Sequence, residues 1–327
     1  MLKGLVIAGY GGHAGYAYAV SVELVKRGVE LDILLPRGYR FLERRFEKLG
    51  EIIHATLPRK PLEPFHRGLH RWFKAFAESL SLARRSYDFA FATGSNFSIP
   101  ASLTLKILRR TKVYTLEAVD RVLKRTKAVS ILYKTGATVF LPWEEQLEMY
   151  PRGVVVGPIY EPLVYEPRND GYVLITTGTL GAEELFEAAV ELDVEKMVVQ
   201  TGDVDPAPYA ARKPGWVFFQ YTEDLYKWIA GARIVVTHPG ITAATARFAY
   251  GKPVVIAYTR RHSKIFTRRE VEAFAEKLNA AFLDEATPSK LAEALREAEN
   301  SRVPAYPNGA VKIAEYITTP LGLARSE

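Results

Sequence analysis

Several short stretches of this sequence combine residue types that can handle protons and phosphates. The first is Ala8-Gly9-Tyr10-Gly11-Gly12-His13-Ala14-Gly15, which follows the apolar run Leu5-Val6-Ile7. A glycine-rich turn between a strand and a helix lets backbone N–H groups approach a ligand closely at the positive end of the helix. Imidazole titrates at about 6.5, so His13 on such a turn is suited to taking a proton beside a phosphorylated substrate. Its other reading is a loop histidine that caps the helix and meets solvent. The stretch Thr237-His238-Pro239-Gly240-Ile241-Thr242 offers backbone donors and hydroxyls at a helix start, which suits a diphosphate. N-capping by Thr237 or Thr242 is compatible with that role. Thr177-Gly178-Thr179 and Gln200-Thr201-Gly202 are further loops of the same kind. Glu117 is a rival base to His13, although an acid before a helix is often there for the helix dipole.

Two tempting motifs are set aside. Glycines at 9, 11, 12 and 15 do not make G-x-G-x-x-G, and the second strand (31–35) ends in Pro36-Arg37 where a dinucleotide site wants an acid. Asp203-Val204-Asp205 has the D-x-D form that holds a metal against a diphosphate in some transferases, but Pro206-Ala207-Pro208 follows and the segment reads as a solvated turn. No metal and no cofactor are assigned.

The elements that must carry these loops alternate regularly. Apolar runs fall at 4–8, 31–35, 51–57, 88–92, 112–116 and 137–141, then at 172–177, 196–200, 215–219, 233–237, 253–258 and 280–283, with helical or loop segments between. A helix is expected from Tyr16 to Arg27. Such alternation predicts parallel sheets covered by helices, with ligands held in loops at the C-terminal ends of the strands. The proline-rich stretch from Gly157 to Gly171 reads as a linker. The expected organisation is two doubly wound α/β domains, 1–157 and 171–303, facing across a cleft. A tail, 304–327, is expected to pack back on the first.

Composition narrows the classes. At 327 residues, 48% hydrophobic and 25% charged, the chain is an ordinary globular protein of two-domain size. No apolar run reaches the roughly 18 residues of a membrane span, and no signal peptide is expected. The absence of cysteine removes disulfides and thiolate chemistry. Five Asn and three Gln against 44 Lys plus Arg suggest a thermophile. The net charge of +7 favours an anionic partner. Because the basic pairs are dispersed and no aromatic-rich binding motif accompanies them, nucleic acid is not the expected partner.

The residues also resemble a known family. Val173-Leu174-Ile175-Thr176-Thr177-Gly178-Thr179, Val199-Gln200-Thr201-Gly202, Val235-Val236-Thr237-His238-Pro239-Gly240 and Gly251-Lys252-Pro253-Val254-Val255 resemble the catalytic subunit of the eukaryotic UDP-N-acetylglucosamine transferase that builds the chitobiose core on dolichyl diphosphate. Gly11-Gly12-His13, Glu117 with Arg121 and Val122, and Phe140-Leu141-Pro142-Trp143-Glu144 resemble its membrane-recruiting, acceptor-binding subunit. The order is that of the two subunits fused. The bacterial peptidoglycan N-acetylglucosaminyltransferase shares this plan, the glycosyltransferase-B architecture. The chain departs from the family at Ala246, where a ribose-binding glutamate is usual, at Glu270 and Val271 in place of a His-Gln pair, and in His-Pro-Gly for His-Ala-Gly.

The resemblance implies an inverting hexosyltransferase that moves N-acetylglucosamine from UDP-N-acetylglucosamine to a polyprenyl- or dolichyl-diphosphate-linked sugar, peripheral on the cytoplasmic face of a membrane, in N-glycosylation chemistry. His13 is then the base, with Glu117 second. Gly11, Gly12, Asn96 and Arg121 meet the acceptor. Gly178, Thr179, Gln200, Gly202, His238, Gly240, Ile241 and Thr242 meet the donor. The alternatives are a UDP-N-acetylglucosamine 2-epimerase on the same fold and a non-enzymatic basic nucleotide- or nucleic-acid-binding protein. Segment 65–85 bears on the membrane: Leu69, Trp72, Phe73, Phe76 and Leu80 follow helical spacing, with Arg67, Arg71, Lys74 and Glu78 on another face. It is either a crossover helix burying its apolar side or an interfacial helix on an anionic membrane.

Overall fold

The structure, a computed structural model, describes residues 1–60 and 63–319. The chain divides into two compact units, Met1–Ile159 with the chain from Pro307 onward, and Tyr160–Tyr306. Residues 320–327 of the expected tail lie outside the described residues.

The first unit holds a seven-stranded sheet. Its strands are β1 (Lys3–Ile7), β2 (Glu30–Pro36), β3 (Glu51–Ala55), β4 (Phe89–Ala92), β5 (Lys112–Leu116), β6 (Thr138–Leu141) and β7 (Val154–Val155), in the order β3-β2-β1-β4-β5-β6-β7. The helices are α1 (Gly12–Lys26), α2 (Arg40–Phe46), α3 (Leu69–Leu82), α4 (Ser98–Arg109) and α5 (Lys127–Lys134). All strand pairs are parallel. Leu5, Val6 and Ile7 are fully buried because helices cover both faces of a parallel sheet. The core gathers Leu5, Ile7, Leu34, Ala90, Phe97, Leu105 and Leu132. A late helix, Gly309–Thr318, packs on α1, with Arg27 paired to Glu315 and the Tyr316 ring set edge-on to Tyr114 and Phe140.

The second unit repeats the pattern with β8 (Val173–Thr176), β9 (Met197–Gln200), β10 (Val217–Phe219), β11 (Ile234–Thr237), β12 (Val254–Ala257) and β13 (Ala281–Leu283), in the order β10-β9-β8-β11-β12-β13. Its helices are α6 (Glu183–Val190), α7 (Ala207–Arg212), α8 (Leu225–Gly231), α9 (Ile241–Ala244), α10 (Arg268–Leu278) and α11 (Pro288–Glu299), followed in chain order by the Gly309–Thr318 helix of the first unit, α12. A π-helical turn, Thr245–Ala249, continues α9. Arg247 on that turn is fully buried. Its guanidinium donates to the carbonyls of Lys252, Leu278, Asn279 and Arg302, which ties the 300–302 segment to the sheet.

Both sheets have a topological switch point. β1 lies between β2 and β4, with Ile7 paired to Ala92; β8 lies between β9 and β11, with Thr176 paired to Thr237. Crossovers leave such neighbouring strands in opposite directions, so their C-terminal loops open a crevice for ligands. The sequence motifs fall on these loops.

Helix α3 reverses the usual amphipathic arrangement. Ala75, Ser79 and Leu82 are buried, while Leu69, Phe73, Phe76 and Leu80 are exposed, Phe73 by 76%. Small side chains at 75 and 79 let α3 pack closely on α4.

Candidate functional site

In the first unit α1 begins at Gly12, four residues before the expected Tyr16, so His13 stands in its first turn. The N-cap is Gly11, with no side-chain cap and no acid in the first turn, and Gly11 and Gly12 are exposed. Backbone N–H groups at such an end lack intrahelical partners and attract anions. Gly9 adopts φ +68° and is crowded: a Cβ there would lie 3.0 Å from the Ser95 hydroxyl and 3.1 Å from the His13 Cβ. The β1 loop, His13 and the loop after β4 are therefore packed together. Ser95 is 8% exposed, and its hydroxyl has no hydrogen-bond partner. Asn96 is partly exposed on the same loop.

His13 Nδ1 lies 2.6 Å from the Thr93 carbonyl. A carbonyl only accepts, so Nδ1 carries the proton and Nε2 keeps its lone pair. Burial, with the nearby Arg121 charge, lowers the His13 pKa, against the opposing pull of the Thr93 carbonyl. The ring is thus held neutral in one tautomer. The Thr93 hydroxyl bonds to the carbonyls of Ile7 and Ala8, fixing the β4 loop against the end of β1.

Glu117 belongs to a different role from the second-choice base expected of it. It is fully buried and accepts bonds from the N–H of Ala118, the N–H and hydroxyl of Thr126, and the Tyr150 hydroxyl. Burial raises its pKa against those bonds. A carboxylate so enclosed cannot reach a substrate hydroxyl; it closes the 117–126 loop. That loop is held further by Val119, whose N–H donates to the Tyr16 hydroxyl and whose carbonyl accepts from the Trp143 indole. Gln146 donates to the carbonyls of Ala118 and Arg121. The result is a fixed position for Arg121 near His13.

In the second unit three loops converge. A Cβ on Gly202 (φ +62°) would lie 2.5 Å from the Gly178 carbonyl and 2.7 Å from that of Thr179, so only glycine lets the loops after β8 and β9 meet. His238, from the loop after β11, sets its Cε1 3.0 Å from the Cβ position of Gly178. Its other neighbour is His262, whose ring stacks on it with centroids 4.6 Å apart and planes 12° apart. His262 is buried and bonds through Nδ1 to the Thr259 hydroxyl at 2.7 Å. Burial pushes His238 down to about 3 and His262 down to about 4, so both rings are neutral at pH 7. The hydroxyls of Thr177 and Thr237, on adjacent strand ends, are buried without partners.

Two expected donor contacts are corrected. Gln200 is 7% exposed and its Oε1 accepts from the Thr176 hydroxyl at 2.6 Å, which ties the side chain into the sheet. The Ile241 side chain is in the core at 3% exposure, leaving only its backbone for a ligand. Thr179 is exposed; Gly240 and Thr242 are partly exposed. Ala246 is fully buried, so its side chain offers nothing to a ligand. Asp203 and Asp205 bond to the Tyr221 hydroxyl and the Ala207 N–H, within a turn. Sequence reasoning expected chemistry on the strand-end loop that holds Thr93 and Ser95 but gave those two no role, and it missed Thr259 and His262. Of these, only the Thr259-x-x-His262 spacing carried a local signal.

The chain matches no known family model and no curated protein. Solved structures do match it over nearly its whole length. MurG of Acinetobacter baumannii superposes with a TM-score of 0.65 at 17% identity, covering 96% of this chain and 98% of that one. A putative UDP-N-acetylglucosamine 2-epimerase from Listeria monocytogenes gives 0.69 at 14% identity, covering 100% and 98%. The UDP-GlcNAc 2-epimerase from Neisseria meningitidis, solved bound to UDP-GlcNAc, gives 0.62 at 15% identity, covering 95% and 98%. The fold is the glycosyltransferase-B architecture, with two parallel-sheet α/β domains.

Proposed function

We propose that the protein is an inverting glycosyltransferase that moves N-acetylglucosamine from its UDP donor to a sugar on a polyprenyl diphosphate. The carrying observation is His13: its Nδ1–H is committed to the Thr93 carbonyl, its ring is neutral, and its Nε2 lone pair is left as a base. The N–H end of α1 and Arg121 supply positive potential for the acceptor diphosphate. The second unit supplies the donor site: Thr179, His238, Gly240 and Thr242 line the convergent loops, and backbone N–H groups after Gly240 meet the charge that develops on the leaving diphosphate. The likeness of fold to MurG and to a protein solved with UDP-GlcNAc supports this assignment of the two halves.

The membrane arm rests on α3. Its exposed Leu69, Phe73, Phe76 and Leu80 lie beside the exposed Arg67, His70 and Lys74, and α4 ends in exposed Ile107, Leu108, Arg109 and Arg110. Apolar side chains that insert and cations that meet anionic headgroups describe an interfacial helix. Among the described residues no helix is long and apolar enough to cross a membrane. The fold is equally that of UDP-GlcNAc 2-epimerases, which is the second reading. An epimerase needs carboxylates around the sugar, and Glu117 is enclosed.

Incubation with radiolabelled UDP-N-acetylglucosamine and anionic vesicles carrying polyprenyl diphosphate sugars separates the readings. Label in the lipid phase is expected; label only in an epimerised free nucleotide sugar would replace the transferase reading. Replacing Phe73 and Phe76 together by Ser is expected to reduce sedimentation with the vesicles while leaving the fold unchanged. A variant that unfolds, or that sediments as before, removes the membrane arm.

A further inference from the structure

The rim of the first sheet beside the glycine loop carries a positive charge that no described residue neutralises. Tyr10, between Gly9 and Gly11, stacks on Tyr39 from the loop after β2, with centroids 5.3 Å apart and planes 20° apart. Arg59, in the loop after β3, lies within electrostatic reach of the Tyr10 phenol. All three side chains are half-buried. The Arg59 Nε is enclosed with no acceptor, and the residue makes no hydrogen bond or ion pair with any described residue.

The acids of this rim are engaged elsewhere. Glu43 holds His54 at 3.0 Å, Glu63 holds Arg71 and the Lys60 N–H, and Glu78 holds the Thr56 N–H and hydroxyl with Arg37 at 3.6 Å. An unneutralised guanidinium beside a pair of aromatic faces is a particular recognition chemistry. The guanidinium grips a carboxylate or phosphate through two parallel N–H bonds, and the rings accept the apolar face of a ligand. A diphosphate is better placed at the N–H end of α1, which follows β1. Arg59 follows β3, two strands away in the sheet order, which leaves it for the sugar rather than the diphosphate.

We propose that Tyr10, Tyr39 and Arg59 form a subsite for an anionic sugar, a pyranose bearing a carboxylate, at the head of the acceptor. The ring lies against the tyrosine pair and its carboxylate meets Arg59. The inference rests on the reading that the first unit holds the acceptor, and it narrows that acceptor to an acidic one. A neutral sugar would leave the Arg59 guanidinium to water.

The test uses the full chain and three small probes, methyl β-glucuronide, methyl β-glucoside and methyl phosphate, titrated by ligand-observed NMR. The expected result is binding of the glucuronide about 10-fold tighter than the glucoside, the value of one charge-assisted hydrogen-bonded contact. Arg59→Gln is expected to abolish that preference, Arg59→Lys to keep part of it, and Tyr39→Ala to weaken both sugars, with unchanged circular dichroism in each variant. Equal affinities in the native protein, or a preference that survives Arg59→Gln, would overturn the proposal. So would methyl phosphate binding through Arg59 as tightly as the glucuronide, which would assign the arginine to a phosphate. UDP affinity measured on the same samples keeps the two readings apart. Loss of the sugar preference with UDP still bound removes the subsite alone, and a preference without UDP binding removes the transferase reading alone.

Discussion

His13 reaches from the start of α1, after β1, to the loop after β4, whereas His238 reaches back from the loop after β11 to the loop after β8. The strands involved are equivalent, since each pair flanks the switch point of its sheet. The means of holding differ. His13 is fixed by a directed hydrogen bond from Nδ1 to the Thr93 carbonyl, which chooses its tautomer. His238 has no partner at Nδ1; it is held between Gly178 and the His262 ring, with the Thr176 carbonyl also beside it. A ring that must move a proton needs a defined tautomer and a free nitrogen. A ring that shapes a pocket needs only a defined plane. The two histidines are thus alike in place and differ in the neighbours that hold them.

The sharpest way to break this contrast is to remove each ring. His13→Ala is expected to lower turnover by about 10² to 10⁴, the usual contribution of a general base, with UDP affinity unchanged. Because the His13 pKa is lowered from 6.5, the acid limb of the native pH–rate profile should lie below that value and vanish in the variant. Glu117→Gln should instead act through the loop it closes, lowering thermal stability and raising KM for the acceptor. If His13→Ala keeps near-native turnover while Glu117→Gln abolishes it, the assignments are reversed.

Much of the scaffold was legible in sequence because parallel strands buried on both faces must be nearly continuous apolar runs. Each expected run contains a strand. The one missed, β7, is only Val154–Val155 and sits at the sheet edge. The early start of α1 was not legible, since glycine at 12 and 15 argues against helix by propensity alone. Nor was the orientation of α3: spacing identifies an apolar stripe, but only packing against α4 shows that Ala75 and Ser79 are the buried side. Glu117 looked like an acid at a helix start. Its partners Thr126 and Tyr150 lie 9 and 33 residues away, beyond any local rule. The stacking of His262 on His238 was invisible for the same reason, since the loop after β12 brings the two rings together.

His262 gives the next largest effect, and it is one of stability. Its pKa is about 6.5 in the unfolded chain and about 4 in the folded one. As pH falls below 6.5 the unfolded chain takes up a proton that the folded protein refuses, so stability is full above 6.5, declines below it and has lost this contribution at pH 4. The drop attributable to His262 is about 3 kcal/mol at most. His262→Phe keeps an aromatic plate under His238 and removes the titration. Urea unfolding at pH 7.5 and pH 4 should show a smaller acid loss in the variant by that order. An unchanged loss would mean that the stacked pair is not what acid destabilises.

The smallest expected effect concerns the hydroxyls beside His238. Thr177 and Thr237 bury an Oγ1 without a partner, which in the free protein costs stability. Thr237→Val removes the hydroxyl and keeps the shape, so on structural grounds it should leave the melting temperature unchanged or raise it slightly. If a UDP donor draws the loop after β11 onto its diphosphate, the hydroxyl gains its acceptor in the complex, and the variant should bind UDP about 5- to 10-fold more weakly, the worth of one ordinary hydrogen bond. The pairing of raised stability with weakened binding is the informative outcome, because a merely structural threonine would move neither affinity nor its salt dependence. Calorimetric titration of UDP into Thr237→Val and Thr177→Val measures it directly. Native affinity in both would place the diphosphate away from the β8 and β11 strand ends and leave His238 shaping a pocket for some other ligand.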